Sequence, residues 1–268
     1  VIDMENFYNR YNEVKPVKKI KNSWLYYFDK ISKYELNEVY QSDKVLMNNG
    51  FFSKSMAQNF KLDKNLKRLF DKYIKIKKEF IHNANQFEKK NFRNNKVLGV
   101  HLRGTDRIIM PDHTFPPTIE QMFFLIDNAI KKYNFTKIFL ITDQSKYLKI
   151  FEKKYGNKLC YRKESFRSNL SKIFHLKIRK NHRFEIGRDN IEEMLILSKL
   201  SHLICSISNL SQTAAMLSKN NFKVMEIDNG MNSKSFLFAQ FKFYLRLYLP
   251  EIFGGFKKKL NLEFKAFK

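Results

Sequence analysis

The stretch His101-Leu-Arg-Gly-Thr-Asp-Arg107 gathers a histidine, two arginines, a threonine and an aspartate within seven residues. A guanidinium offers a planar fork of donors that matches phosphate oxygens. Arg103 is therefore a candidate for holding an anionic ligand, with His101, Thr105 and Asp106 around it. Gly104 would let the backbone approach that ligand closely. Thr142 and Asp143 form a second polar group, and Ser206, Ser208, Asn209 and Ser211 a third. Hydroxyls and backbone amides at a helix start make a phosphate site, so with Arg103 a diphosphate would be held from two sides. The sequence has no P-loop, no dinucleotide glycine fingerprint and no Asp-X-Asp pair of the kind that holds a divalent metal against a nucleotide diphosphate. No Cys/His cluster has metal-ligand spacing either. The phosphate charge is therefore expected to be met by Arg, Ser and helix dipole, without a metal.

Each group needs an element to place it. Val97–Leu102 reads as a buried strand ending at the first group, Lys137–Thr142 as a second ending at Asp143, and His202–Ser206 as one ending at the third. Lys158–Arg162 and Lys223–Asp228 complete the strands. Thr118 with Gln121 is a capping box that starts a helix carrying Ile119, Met122, Phe123, Ile126, Ala129 and Ile130. Ser145–Tyr155 is a helix closed near Gly156, Asp189 with Glu192 marks the start of one running to about Lys199, and Ser208–Ser218 is a loop-led helix. Strands alternating with helices imply an α/β fold with a parallel sheet and right-handed crossovers. Ligands in such sheets bind at the carboxyl ends of the strands. Cys160 and Cys205 fall in predicted strands and read as small buried apolar residues of a reducing compartment.

The flanks are less regular. Val1–Met4 reads as a strand, so residues upstream of it are expected. Trp24, Tyr26, Tyr27 and Phe28 cluster, Glu35–Tyr40 is a short helix and Val45–Met47 a short strand. Apolar residues from Leu66 to Phe87 recur at helical spacing. The polar joint Phe92–Lys96 divides the chain into 1–95, an N-terminal acceptor-side part, 96–234, a nucleotide-binding part, and 235–268, an aromatic and basic helix with a tail. That last helix either packs back across both domains or lies on an anionic membrane surface. The formal net charge is +25, from 51 Lys plus Arg against 26 Asp plus Glu, with arginines and lysines dense over 162–188. This suits a nucleotide, an acidic membrane surface or nucleic acid, and also suits a plain solvated surface. With no signal peptide and no apolar run long enough to cross a bilayer, a cytoplasmic protein, peripheral on the inner face of the membrane, is expected.

His101-Leu-Arg-Gly-Thr-Asp-Arg107 resembles the His-X-Arg-Arg-Thr-Asp-Lys motif of GDP-fucose-dependent fucosyltransferases, the α1,6-fucosyltransferase/NodZ-like branch above all, with protein O-fucosyltransferases more distant. Ile138–Asp143 and Ile191–Leu217 resemble the second and third blocks of that superfamily. The resemblance implies a GT-B-like fold of two Rossmann-like domains, the nucleotide-binding one C-terminal and the N-terminal one incomplete. It implies an inverting, metal-independent glycosyltransferase that moves fucose, or a related deoxysugar, from a GDP-sugar to a hydroxyl of a surface glycan. The GDP-sugar is a substrate, and no cofactor is implied. Arg103 would neutralise the β-phosphate of the leaving GDP and His101 would shape the nucleotide pocket. Glu193 takes the place of the guanine-binding acid. Ser208, Asn209 and Ser211 match the phosphate loop, and Asp106 orients Arg103 or the adjacent loop. Gly104 replaces the second arginine and Arg107 the lysine. Asp112 is the acid nearest the position of the catalytic base, with Glu120 as the alternative. Transfer of a GDP-heptose is a reading within the same class. A basic nucleic-acid-binding protein and a non-catalytic glycan-binding relative are the readings outside it.

Overall fold

A computed structural model describes residues 1–46, 64–104, 107–170, 173–206 and 208–267. Among these, the helices are α1 (Trp24–Tyr27), α2 (Leu36–Tyr40), α3 (Lys64–Tyr73), α4 (Lys78–Asn91), α5 (Ile119–Tyr133), α6 (Ser145–Tyr155), α7 (His182–Leu197), α8 (Asn209–Leu217) and α9 (Phe236–Tyr248). The strands are β1 (Val97–Leu102), β2 (Lys137–Thr142), β3 (Leu159–Cys160), β4 (His202–Cys205), β5 (Lys223–Glu226) and β6 (Lys265–Ala266). They form one sheet in the order β3-β2-β1-β4-β5-β6, parallel except for β6.

Successive strand residues point to opposite faces, so a strand covered on both faces must be apolar throughout. β1, β2 and β4 meet that demand. Val97, Phe139, Ile141, Leu203 and Cys205 pack beneath α4, α7 and α8, through Ala84, Met194, Ile196, Leu197, Ala214 and Ala215. Leu98, Val100, Leu102, Ile138, Leu140 and Ile204 pack on the other face against Met122, Leu125 and Ile126 of α5 and Phe151 of α6. At Gly99 a Cβ would lie 2.6 Å from Leu197 Cδ1, so α7 can approach β1 this closely only over glycine. Val17, Tyr26, Tyr27 and Phe80 form a further cluster with Phe184 and Ile191, seating the amino-terminal segment on α7. The Tyr27 hydroxyl donates to the Phe184 carbonyl at 3.0 Å.

Four local expectations change. The periodic run from Leu66 to Phe87 is two helices, because Ile76 forms an antiparallel bridge to Phe28 and the Lys77 N–H donates to the Tyr27 carbonyl at 3.0 Å. Val1–Met4 is not a strand; the Asn22 side chain holds this segment, accepting from Met4 N at 3.3 Å and donating to the Ile2 carbonyl at 2.7 Å. Val45 and Leu46 form no strand, and Met47 lies outside the described residues. Finally, α7 begins at His182, not at Asp189. Asp189 and Glu192 are buried within it, ion-paired to Arg162, and Asp189 also to Arg179 at 2.8 Å. An acid pair that resembles a helix start is here the inner side of a longer helix.

Candidate functional site

In the order β3-β2-β1-β4-β5 the chain runs to opposite sides of the sheet on leaving β1 and β4. After β1 it reaches α5 on one face; after β4 it enters α8 on the other. The divergence opens a crevice beyond the carboxyl ends of these two strands, where ligands of open α/β sheets bind. Register aligns the ends: Leu102 pairs with Thr142, and His101 with Ile141 and Cys205.

His101 sits in that crevice, 6% exposed. Its Nδ1 lies 2.7 Å from Ser211 Oγ and 3.3 Å from Ser208 Oγ. Ser208 is the N-cap of α8, its Oγ accepting from Ser211 N at 3.1 Å and donating to Ser211 Oγ at 3.0 Å. The cap that starts the helix therefore also fixes the imidazole. Burial pushes the His101 pKa down to about 3, and Arg103 and Arg107 push in the same direction, so the ring is neutral at ordinary pH. Ser206 is buried at the end of β4, whereas Asn209, the first residue of α8, is exposed. Ser208 and Ser211 are thus engaged with each other and with His101, the Ser211 N–H included, and the N–H groups of Asn209 and Leu210 are the first-turn donors left for an anion.

Arg103 follows β1 directly and is half-buried. Thr105 and Asp106 lie outside the described residues. Arg107 donates through Nη1 to Thr114 Oγ1 at 2.7 Å. Gly104 is closely packed. A Cβ there would lie 2.5 Å from Tyr147 Cε2 and 3.0 Å from Gln144 Cδ, so the glycine accommodates side chains of α6 and its N-cap residue. Its N–H donates to Asp143 Oδ1 at 3.1 Å, and the Asp143 carbonyl accepts from Ser168 N at 3.0 Å. Asp143 thereby ties the loop after β1 to the segment after β3. Burial, with Asp143 and Tyr244 nearby, pushes the Tyr147 pKa up to about 12.

Asp112 is exposed on a left-handed turn (φ 56°), its N–H donating to the Ser233 carbonyl at 2.9 Å. Phe115 N to the Gly230 carbonyl, also 2.9 Å, and the Thr114–Met231 bridge fasten the rest of this loop to the chain after β5. Glu120 is exposed and paired with Lys258 at 3.1 Å.

Glu193 is apart from the His101 group. It is 5% exposed on α7 and faces the segment after β3. Arg167 Nη2 stands 3.7 Å from Glu193 Oε1, and neither atom makes a hydrogen bond among the described residues. Burial pushes the Glu193 pKa up to about 7, against the opposing pull of Arg167. Sequence reading passed over Arg167 as one more charge in the basic 162–188 stretch. The missed signal was Glu185, Asp189 and Glu192 at helical spacing: α7 carries the acids that Arg162, Arg167, Arg179 and Arg188 pair with. Glu226, at the end of β5 beside Cys205, was also passed over; burial and Asp228 push its pKa up to about 7.

No protein-family model and no curated protein matches the sequence. Solved structures do resemble the chain. The NodZ α-1,6-fucosyltransferase co-crystallised with GDP is 18% identical, with a TM-score of 0.43 over 63% of this chain and 50% of that one. The NodZ fucosyltransferase from Bradyrhizobium is 18% identical, with a TM-score of 0.42 over 63% and 50%. POFUT1 in complex with GDP is 11% identical, with a TM-score of 0.40 over 58% and 47%. The chain spans about half the length of each.

Proposed function

We propose that this chain is the GDP-sugar-binding part of an inverting, metal-independent glycosyltransferase, with fucose or a related deoxysugar as the group moved and a hydroxyl of a surface glycan as the acceptor. One observation carries the reading: a neutral, buried His101 is locked to the N-cap of α8 at the switch point of the sheet, beside Arg103. A neutral imidazole leaves the positive charge of the crevice to Arg103 and the helix N-terminus, which face the diphosphate. As the glycosidic bond breaks, negative charge grows on the β-phosphate, and Arg103 stabilises it there. Asp112, exposed on the loop after Arg103, takes the acceptor proton. Glu193 and Arg167 read the base. Their facing acceptor and donor complement guanine, whose N1–H and amino group donate and whose O6 accepts. Residues 1–95 form the acceptor-side part.

Calorimetry with GDP, UDP and ADP tests the reading. GDP is expected to bind tightest, and Arg103→Ala to weaken it by about 10- to 100-fold, as loss of a charge-assisted contact does. Equal binding of the three nucleotides, or an unchanged Arg103→Ala, would overturn it. GDP binding without hydrolysis or transfer of any GDP-sugar would instead mark a non-catalytic relative. For the nucleic-acid reading, four arginines of the 162–188 stretch pair with acids of α7, which leaves the net charge of +25 to support it.

A further inference from the structure

The helix α9 is apolar on two sides and buried on one. Ala239 and Phe243 face inward, Phe243 packing on Ile108, Phe115 and Phe256. This anchors the helix and fixes which side looks out. Leu237, Phe238, Phe241, Tyr244, Leu245 and Tyr248 share the outward third of its circumference, each 40–84% exposed. No polar residue other than the two tyrosines interrupts that stripe. The turn Glu251–Phe253 extends it with Ile252 and Phe253, 84% and 68% exposed. An apolar patch of this extent marks an interaction surface.

Charge decides what fits it. Exposed Lys234 and Lys242 lie just before and within α9, and exposed Lys257 and Lys259 follow the turn, against the exposed acids Glu251 and Glu120, the latter paired with Lys258. A second copy of a chain carrying a net +25 would be repelled by this rim, whereas an anionic surface is attracted. Aromatic rings with a lysine fringe are the composition of helices that lie in a bilayer interface, the tyrosine hydroxyls at headgroup level. No helix among the described residues is long and apolar enough to cross a membrane, so this one lies on the surface. We propose that α9 and the turn after it form a docking face for an anionic lipid bilayer. The face adjoins the candidate site: Ile108 and Phe115 beneath it lie on the loop after Arg103. Docking therefore sets the crevice beside the membrane. If the transferase reading holds, the acceptor is a glycan held at the bilayer surface.

The test is co-sedimentation of the full chain with vesicles of phosphatidylcholine, alone and with phosphatidylglycerol added. Binding is expected only with the anionic lipid, and is expected to weaken as salt rises. The triple variant Phe238→Ser/Phe241→Ser/Tyr248→Ser alters exposed positions only. It should keep its far-UV circular dichroism and GDP affinity, and lose vesicle binding by at least about tenfold. Lys257→Gln/Lys259→Gln should weaken binding to the anionic vesicles several-fold. The proposal is overturned if the chain ignores anionic vesicles, or if the triple variant binds them as wild type does. It is equally overturned if the stripe instead drives self-association that the triple variant abolishes. GDP calorimetry is independent of all these outcomes, so failure of docking and failure of the transferase reading are told apart.

Discussion

Gly104 stands where the resembled motif has a second arginine, and the exchange has a local cause: Tyr147 and Gln144 occupy the space that any side chain at position 104 would need. Gly104→Ala should cost about 1–3 kcal/mol of stability, the usual range for overpacking. In a Tyr147→Val background the ring is gone and the same substitution should be close to neutral. Chemical denaturation of the four proteins measures the coupling, and additive effects would rule out this contact as the cause. His101 makes a pH prediction. Its native pKa of about 3 lies below the unfolded value of about 6.5, so acid protonates the unfolded chain first. Stability from this residue is therefore full above about 6.5 and falls as pH drops towards 3, by at most about 1.4 kcal/mol per pH unit. Glu193, raised to about 7, acts with the opposite sign, its contribution falling as pH rises from about 4.5 through 7. His101→Asn should remove the histidine component, so wild type loses more stability than the variant between about pH 7 and about pH 5. Equal losses would mean that His101 is not held neutral.

Among the elements, α7 shows both what the residues reveal and what they conceal. Its hydrophobic half and its end are visible in the sequence. Its start is not, because Asp189 and Glu192 have the spacing of a cap and only their distant partners, Arg162 and Arg179, show that they are interior. Arg162→Ala should destabilise the protein by about 3–5 kcal/mol, since it removes the counter-charge of Glu192, which is 1% exposed, while Asp189 keeps Arg179. Arg179→Ala, at a more exposed side chain, should cost clearly less. Thermal unfolding of the two variants checks the order. The same logic explains the run from Leu66 to Phe87: its period is helical, but a bridge from Ile76 to Phe28 interrupts it, and no local rule foretells a partner that far away.

For the molecule as a whole, the α/β class, the five parallel strands and the polar groups at their ends were legible, because burial on both faces demands uninterrupted apolar runs at β1, β2 and β4. The strand order was not, since neighbours in the sheet are chosen by crossovers and not by local composition. That order decides the site: it sets β4 against β1 and so brings Ser208 and Ser211 to His101, while Glu193 stays with the segment after β3. Nor could the charge balance distinguish arginines that face solvent from those that Asp189, Glu192 and Glu193 neutralise inside.

The pairing of β1 with β4 also has a consequence for synthesis. His101 and Ser211 are 110 residues apart, so the central strand leaves the ribosome long before the helix cap that fixes its histidine. Until β4 follows, β1 has only β2 beside it and an open edge of unpaired amides and carbonyls. Sheets assembled from such distant segments form slowly and expose apolar surface meanwhile. The crevice is thus a late product of folding, and a nascent chain halted before Ser211 would hold the arginine but not the cradle for an anion.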